Sequence, residues 1–283
     1  MNTFWSDEVQ GKFTLYLSRK LRFNDLFFKD YDRLFKISHS KKIKILEIGS
    51  GPGALAEVLK KHYPKAAITA IDRDSSFIEF AKNNISGINF INCDASELPF
   101  PSQTFDVAIS YTVQEHIDPA IFWGEQKRVL KPGGICLCLS ARQSITVKPA
   151  CLSPTPEEDD FWRSFPNDRS ELIQLGVGKY RLDESSLPLE MEKHGFTDIT
   201  TGYVVSDLTP DDPKYSPALA EEMIDAERQA DLEAIKSTKS PKANKIAEIV
   251  NAKYDRRLKL YEKGVKLWDT TTSVNMVVRG IKK

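Results

Sequence analysis

The chain has 283 residues, of which 41% are hydrophobic and 28% are charged. Lysine and arginine together number 40, as do aspartate and glutamate, so the formal net charge is zero. A neutral chain has no overall attraction to nucleic acid or to anionic lipid, and this favours a small-molecule partner. The sequence has no run of about 18 apolar residues and no signal-peptide core, so we expect no membrane span and a cytoplasmic location.

Cysteine and histidine spacing argues against a metal or disulfide framework. Cys136 and Cys138 alternate within an apolar run, so on a strand both would point to one face, as small core residues do. The four histidines show no metal-ligand spacing with one another or with the cysteines. No metal site is predicted.

The first 40 residues are predicted to form a helical cap. Phe13, Tyr16, Leu17 and Leu21 recur at spacings of three and four, as on an amphipathic helix. The cap either covers one edge of the core or acts as a lid that places Tyr16, Arg19 or Arg22 in the active site. Tyr16 is therefore a candidate substrate contact.

From Lys41 onward, short apolar runs alternate with amphipathic stretches. Alternation of this kind builds a parallel sheet with helices on both faces, joined by right-handed crossovers. The predicted strands cover residues 43–48, 67–71, 88–91, 105–110 and 135–139. The predicted helices cover about 54–61, 75–83 and 121–130, the last ending at the sequence Lys131-Pro132-Gly133-Gly134.

Two polar segments, at about 141–183 and 206–266, are predicted to be insertions into a domain that spans 41–283. The first contains Phe161 and Trp162, whose rings could close over an apolar substrate or pack the cap on the core. The second contains two long amphipathic helices, at about 216–236 and 242–266. The remaining predicted elements are a helix at 184–194 and strands at 196–205 and 273–281.

The stretch from Ile43 to Gly53 reads as a buried strand, a glycine turn and a helix start. Gly49-Ser50-Gly51-Pro52-Gly53-Ala54 fits both G-x-G-x-G and the dinucleotide variant G-x-G-x-x-A. Asp72, at the end of the second strand, can accept hydrogen bonds from ribose hydroxyls in either case. These residues predict an adenosine-type ligand without identifying it.

Two acids help to separate the alternatives. Glu47 lies two residues before the first glycine, where a carboxylate suits a cationic ligand better than a pyrophosphate. Asp94 follows the third strand and could accept a hydrogen bond from an adenine amine. A cationic adenosine ligand is therefore favoured over a dinucleotide.

With these motifs in order, residues from about Ile43 to Ser140 resemble the class I S-adenosylmethionine-dependent methyltransferases. The similarity is greatest to the small-molecule branch that includes the ubiquinone and menaquinone biosynthesis enzymes. The motifs that carry the resemblance are Leu46–Gly53, Ala70–Asp72, Cys93–Phe100, Phe105–Ser110, Gln114–Ile117 and Val129–Gly134.

The resemblance implies a Rossmann-like seven-stranded α/β sheet in the order 3-2-1-4-5-7-6, with strand 7 antiparallel and helices on both faces. It also implies that S-adenosylmethionine is the cofactor and S-adenosylhomocysteine the product. The residues that the resemblance assigns to the cofactor are Glu47, Gly49, Ser50, Gly51, Gly53, Asp72, Arg73, Asp94, Ala95, Ser110 and Tyr111.

The expected function is transfer of a methyl group by in-line displacement to a small molecule, a reaction that depends chiefly on proximity and orientation. His116 follows the fourth strand and is the candidate general base, or else a residue that orders the loop. Two alternatives remain open: methylation of protein or RNA, and cofactor binding without catalysis.

Overall fold

The structure, a computed structural model, describes residues 3–165 and 170–283. Its strands are β1 (Lys44–Ile48), β2 (Ala67–Asp72), β3 (Asn89–Asn92), β4 (Phe105–Tyr111), β5 (Leu130–Val147), β6 (Phe196–Leu208) and β7 (Thr270–Lys282). Its α-helices are α1 (Lys12–Arg22), α2 (Asp25–Phe35), α3 (Ala54–His62), α4 (Ser75–Asn84), α5 (Pro119–Val129), α6 (Pro156–Arg163), α7 (Ser170–Gln174), α8 (Ser186–Lys193), α9 (Pro217–Ser237) and α10 (Ala243–Glu262). A π-helical turn covers Trp5–Val9, and 3-10 turns cover Gln114–His116 and Ala150–Leu152.

The seven strands form one sheet in the order β3-β2-β1-β4-β5-β7-β6. β1 is parallel to both β2 and β4, with Glu47 opposite Ala70 on one side and Ile109 on the other. β7 is antiparallel to its neighbours, since Lys282 near its end donates to the carbonyl of Leu130 at the start of β5. The predicted fold class and strand order are confirmed.

The central strands are buried on both faces, which explains their nearly continuous apolar sequence. Four of the five residues of β1 are buried, as are six of the seven residues of β4. Around them packs a core that includes Trp123 of α5 and Phe196 of β6. The sheet therefore holds the carboxyl ends of β1, β2 and β4 side by side.

Two aspartates cap the helices that follow β2 and β4. The Asp74 carboxylate accepts from the backbone N–H groups of Ser76 and Phe77 and begins α4. Asp118 caps α5 in the same way, with Pro119 at the first helical position. Both caps lie directly beyond residues that the sequence assigns to the ligand site.

The chain divides into two compact units. The first comprises Met1–Gln143, Arg169–Val205 and Val274–Lys283, and the second comprises Ser144–Asp168 and Ser206–Ser273. Residues 170–183, which we expected within the first insertion, therefore belong to the first unit. No helix within residues 3–165 or 170–283 is long and apolar enough to cross a bilayer.

The second unit has its own apolar core, which is helical. It contains Leu152, Phe161, Ile224, Ile235, Ile246, Val250 and Tyr254. A fully buried arginine, Arg257, pairs with Asp211 at 2.9 Å and with Asp269 at 2.6 Å. Removing either partner would leave a charge buried without a counter-ion, and the cluster joins three segments of the unit.

Candidate functional site

The turn after β1 requires glycine. Gly49 and Gly51 have φ values of 67° and 55°, in the left-handed region. A Cβ atom added at Gly49 would lie 2.3 Å from Cγ2 of Val113, and one at Gly51 would lie 2.9 Å from Nη1 of Arg19. The backbone of the turn is thus held in close contact with side chains from the loop after β4 and from α1.

The Asp72 carboxylate closes this turn from β2. It accepts from the N–H of Gly51 at 2.7 Å and from the N–H of Asp74 at 2.9 Å. Burial raises the pKa of Asp72, while these backbone N–H groups oppose the rise. Asp72 therefore both shapes the turn and presents a carboxylate to the cavity beside it.

Glu47 lies under the same turn and is only 1% exposed. Burial raises the pKa of its carboxyl group to about 8. Among the described residues, its Oε2 atom has no hydrogen-bond partner. A buried carboxyl oxygen without a partner carries a desolvation cost, which a cationic or donor group of a ligand would relieve.

A cavity of about 620 Å³ opens at the carboxyl ends of β1, β2 and β4. Of the residues predicted for the site, eight line it: Gly49, Gly51, Asp72, Arg73, Asp94, Ala95, Tyr111 and His116. The predicted cofactor residues Glu47, Ser50, Gly53 and Ser110 do not line the cavity. Ser50 instead donates its N–H to the carbonyl of Ile71 at 2.8 Å and so ties the turn to β2.

One end of the cavity carries the groups predicted for adenine. The Arg73 guanidinium lies 5.2 Å from the ring centre of Trp5, and the Asp94 carboxylate accepts from the N–H of Ser96 at 2.8 Å. Cys93 also lines this end, and burial raises the pKa of its thiol to about 11. Polar edges and flat side chains here suit a purine ring.

The N-terminal segment supplies Arg19 and Arg22, which the lid alternative named, and Leu15, which it did not. Leu15, Arg19 and Arg22 of α1 line the cavity. They follow one another at spacings of four and three, so they share one face of the helix. The sequence carries this signal, because two arginines on a helix face next to apolar residues are unusual unless they serve a site.

Arg19 is 6% exposed, and its guanidinium lies over the glycine turn. Nη1 donates to the carbonyl of Ser50 at 3.1 Å and to that of Gly49 at 3.4 Å, and Nη2 donates to Oγ1 of Thr112 at 3.3 Å. Burial lowers the pKa of this guanidinium. A desolvated cation thus contacts the turn through neutral oxygen atoms.

Tyr111, the last residue of β4, connects the cavity to the core. Its hydroxyl accepts from Nη1 of Arg22 at 3.1 Å and donates to Oδ1 of Asn275 at 2.9 Å. Its ring lies 5.3 Å from Cζ of Arg19. Both arginines of α1 therefore contact the residue at which the fourth strand enters the cavity.

The structure argues against the general-base role predicted for His116. The backbone N–H of Gly178 donates to Nδ1 of His116 at 2.8 Å, so the lone pair of Nδ1 is engaged. A neutral imidazole then carries its proton on Nε2, which makes Nε2 a donor and not a base. The alternative role, ordering a loop, fits this geometry.

The loop that His116 orders forms one wall of the cavity. Two further hydrogen bonds join this loop to the 3-10 turn that contains His116. The side-chain amide of Gln114 donates to the carbonyl of Tyr180 at 2.9 Å, and the N–H of Tyr180 donates to the carbonyl of Glu115 at 2.9 Å. Cavity residues from this loop are Gln174, Leu175, Gly176, Val177, Lys179, Tyr180 and Arg181. No sequence motif marks this segment.

Glu115 is a carboxylate in this wall of the cavity that no sequence pattern singled out. Burial raises the pKa of its side chain, and Arg181 and Arg142 partly oppose that rise. It lines the cavity next to His116. A carboxylate with a raised pKa in a cavity is suited to accept a proton from a reacting group.

The three predicted substrate residues do not line the cavity. Tyr16 donates to Oε2 of Glu57 at 2.7 Å and packs its ring 5.4 Å from that of Phe80. Phe161 is 3% exposed in the core of the second unit, and Trp162 packs against that core. The substrate contacts predicted for all three are therefore corrected: Tyr16 anchors α1, and the other two stabilise the second unit.

No group of three or more histidine, cysteine, aspartate or glutamate residues within the described ranges is arranged to hold a metal ion. The fold and the site together define a Rossmann-like domain with an adenosine-type cavity at the carboxyl ends of its parallel strands.

Comparison with known proteins indicates which class of protein this domain resembles. Residues 46–138 match the family model described as a methyltransferase domain. This match confirms the resemblance of this part of the chain to the class I S-adenosylmethionine-dependent methyltransferases, which the sequence motifs predicted.

The curated relatives share this central part of the chain. A ubiquinone/menaquinone biosynthesis C-methyltransferase UbiE of Desulfotalea psychrophila is 36% identical over 99 residues, which are 34% of this chain and 40% of that protein. A fatty-acid O-methyltransferase of Mycolicibacterium smegmatis is 37% identical over 103 residues, or 35% of this chain and 37% of that protein. The chain thus spans less than half the length of these relatives.

Among solved structures, the phosphoethanolamine N-methyltransferase 2 of Haemonchus contortus, in complex with S-adenosyl-L-methionine, matches with a TM-score of 0.54. It is 17% identical, and the match covers 100% of this chain and 60% of that one. At this identity the similarity supports the fold alone.

Proposed function

We propose that the protein is an S-adenosylmethionine-dependent methyltransferase whose acceptor is a small molecule. The observation that carries the proposal is the glycine turn, with the partnerless Oε2 of Glu47 beneath it and the Asp72 carboxylate beside it. The Asp72 carboxylate and the glycine backbone line one end of the cavity, Glu47 lies beneath the turn, and together they fit a cationic adenosine ligand.

Each part of the cofactor has residues suited to hold it. Asp72 would accept from the ribose hydroxyls, and Asp94, Ala95 and Arg73 would surround the adenine. The turn from Gly49 to Gly53 would hold the methionine part, with Ser50 and Glu47 supporting it from beneath. When bound, S-adenosylmethionine supplies a methyl group on a positively charged sulfur.

The acceptor would enter between α1 and the loop at 174–181. The cavity is large enough for a small molecule and is lined there by apolar side chains such as Leu175 and Val177. Such walls exclude water and hold an acceptor in line with the methyl group, which can supply most of the rate. The two curated relatives are named for quinone and fatty-acid substrates, which favours a small molecule over a macromolecule.

An acceptor that must lose a proton needs a base, and we assign that role to Glu115 in place of His116. Glu115 lines the cavity, and burial raises the pKa of its carboxyl group. The Glu115 carboxylate would take the acceptor's proton as the acceptor binds the methyl group. A cytoplasmic location remains a prediction.

Two measurements test this function. Isothermal titration calorimetry should detect binding of S-adenosylhomocysteine and no binding of NAD; the reverse result would overturn the proposal. Transfer of tritiated methyl groups from S-adenosylmethionine should then label a small-molecule extract. Label found only in tRNA or protein would overturn the acceptor class while leaving the activity.

A matched pair of variants strengthens the assay. Asp72→Asn should weaken S-adenosylhomocysteine binding by about 1–3 kcal/mol, because it removes charge-assisted hydrogen bonds to the ribose. Asp106→Asn is the control, since Asp106 accepts from Lys44 and Lys131 at the opposite end of the strands. Equal binding by both variants would remove Asp72 from the proposed site.

A further inference from the structure

The cavity wall at 174–181 carries two cations, Lys179 and Arg181, that the proposed chemistry does not use. We propose that these side chains bind an oxyanion of the acceptor, a carboxylate or phosphate group that is recognised but not methylated. The inference rests on the proposed function and names the acceptor class: a small molecule that is anionic both before and after it receives the methyl group.

The backbone on either side of each cation is anchored to the rest of the domain. The N–H of Gly178 and both backbone groups of Tyr180 form hydrogen bonds to the 3-10 turn Gln114–His116. The carbonyl of Leu182 accepts from Nη1 of Arg142 at 2.7 Å. The two cations alternate with these anchored residues, and their side chains line the cavity. The loop therefore presents both charges from a fixed backbone.

Neither cation has a close counter-ion among the described residues. The ammonium of Lys179 lies 5.4 Å from the ring centre of Tyr180. Within residues 3–165 and 170–283, no carboxylate oxygen lies within 4.0 Å of Lys179 or Arg181. Both side chains are exposed to water at the cavity, so an incoming anion can reach them without first displacing an ion pair.

Two carboxylates on this side of the cavity, Glu115 and Asp118, carry the opposing charge. Asp118 accepts from the backbone at the start of α5, where the helix dipole offsets its charge. Arg142 interacts with Glu184 at 3.7 Å, so this pair is neutral overall. The two cations of the loop therefore face Glu115, and burial raises its pKa, which reduces its negative charge at a given pH.

An arginine and a lysine on one loop suit an oxyanion. The guanidinium of Arg181 can donate two parallel N–H bonds to a carboxylate or phosphate group, and the ammonium of Lys179 adds a point charge. Because both side chains are exposed and methyl transfer needs a site shielded from water, the group bound here is not the one that reacts. Leu175 and Val177 precede the cations and would contact the apolar body of the acceptor.

Anion exchange tests this acceptor class with the small-molecule extract of the proposed assay. The product labelled from tritiated S-adenosylmethionine should bind to a quaternary-ammonium column at neutral pH, whereas the cationic donor should not. Alkaline phosphatase should release the label if the oxyanion is a phosphate monoester and leave it bound if the oxyanion is a carboxylate. Labelled product only in the unbound fraction would overturn the inference and leave the proposed function intact. Label in no small molecule would overturn both.

A double substitution, Lys179→Gln with Arg181→Gln, tests the assignment to these residues. It should raise the extract concentration that gives half-maximal labelling about 5- to 30-fold and leave the maximal rate within about threefold, because the oxyanion is bound equally before and during transfer. Arg181→Lys alone, which keeps the charge without the planar fork, should give a smaller rise. Added sodium chloride should raise the half-maximal concentration for the unaltered protein and not for the double variant.

The matched control is Lys29→Gln with Arg33→Gln, which removes the same two charges from exposed positions of α2 that do not line the cavity. It should have the half-maximal concentration of the unaltered protein. A fall in maximal rate alone for the Lys179→Gln, Arg181→Gln variant, or the same response to salt as the unaltered protein, would overturn the inference.

Discussion

Tyr111 donates its hydroxyl hydrogen to Oδ1 of Asn275, at 2.9 Å, although the two residues are 164 positions apart. Asn275 in turn donates from Nδ2 to the hydroxyl of Tyr31 at 2.7 Å. All three side chains are buried, so one amide of β7 satisfies two phenols, from β4 and α2. This bond connects a residue of the cavity wall to the C-terminal strand.

We expect Asn275→Ala to lower the free energy of unfolding by about 2–4 kcal/mol, because it leaves two buried hydroxyls with a lost partner. Urea denaturation followed by circular dichroism measures this change. Asn83→Ala, at an exposed position of α4, should change stability by less than about 0.5 kcal/mol. Similar midpoints for both variants would contradict the assigned network.

We expect His116→Ala to release the wall of the cavity at 174–181. The variant removes the acceptor of the Gly178 N–H, so peptides covering that loop should exchange amide hydrogen faster. Hydrogen–deuterium exchange mass spectrometry measures the rate. His39→Ala, which alters an exposed histidine paired with Asp32, should leave the loop unchanged, and an unaltered loop in both variants would exclude the ordering role.

The raised pKa of Glu47 predicts a pH dependence of stability. Between pH 4.5, the ordinary value, and about 8, the unfolded chain is ionised at Glu47 while the folded protein keeps the proton. Folding thus takes up a proton in this range, so the contribution of Glu47 to the free energy of unfolding falls with rising pH, by at most about 1.4 kcal/mol per pH unit.

Glu47→Gln should abolish that contribution. Urea denaturation at several pH values, without ligand, should show the difference in stability between variant and unaltered protein growing in favour of the variant from pH 5 to about 8. Parallel pH profiles would show that the Glu47 carboxyl group titrates near its ordinary value in the folded protein.

In the second unit, we expect Arg257→Met to cost about 3–5 kcal/mol, because it leaves Asp211 and Asp269 buried without a counter-ion. Lys259→Met on the same helix is the control, since Lys259 is exposed. Chemical denaturation measures both. A similar effect of the two substitutions would contradict the importance of the buried cluster.

The sheet could be predicted because the sequence patterns that indicate its strands each lie within a short stretch of the chain. The buried runs of β1 and β4, and the turn before β5, each carry a pattern within a few residues. The length of β5 could not be predicted, because residues 141–147 are polar and resemble a loop although they continue the strand.

The site was predictable only where it consists of strand ends and the glycine turn. The role of His116 depends on Gly178, which lies 62 residues away, and no local pattern indicates which ring nitrogen is engaged. The sequence makes Phe161 a candidate substrate contact because its aromatic cluster lies in a polar segment. The core around Phe161 is assembled from segments far apart in the sequence, so no local pattern indicates that this side chain is buried.

Cys93 has a use that follows from its position in the cavity wall. Its thiol is partly exposed, whereas those of Cys136 and Cys138 are buried within β5. With a thiol pKa of about 11, it should react slowly with iodoacetamide at neutral pH and faster at pH 9. A ligand in the cavity should slow that alkylation, so mass spectrometry of the Cys93 peptide would report occupancy without any added label.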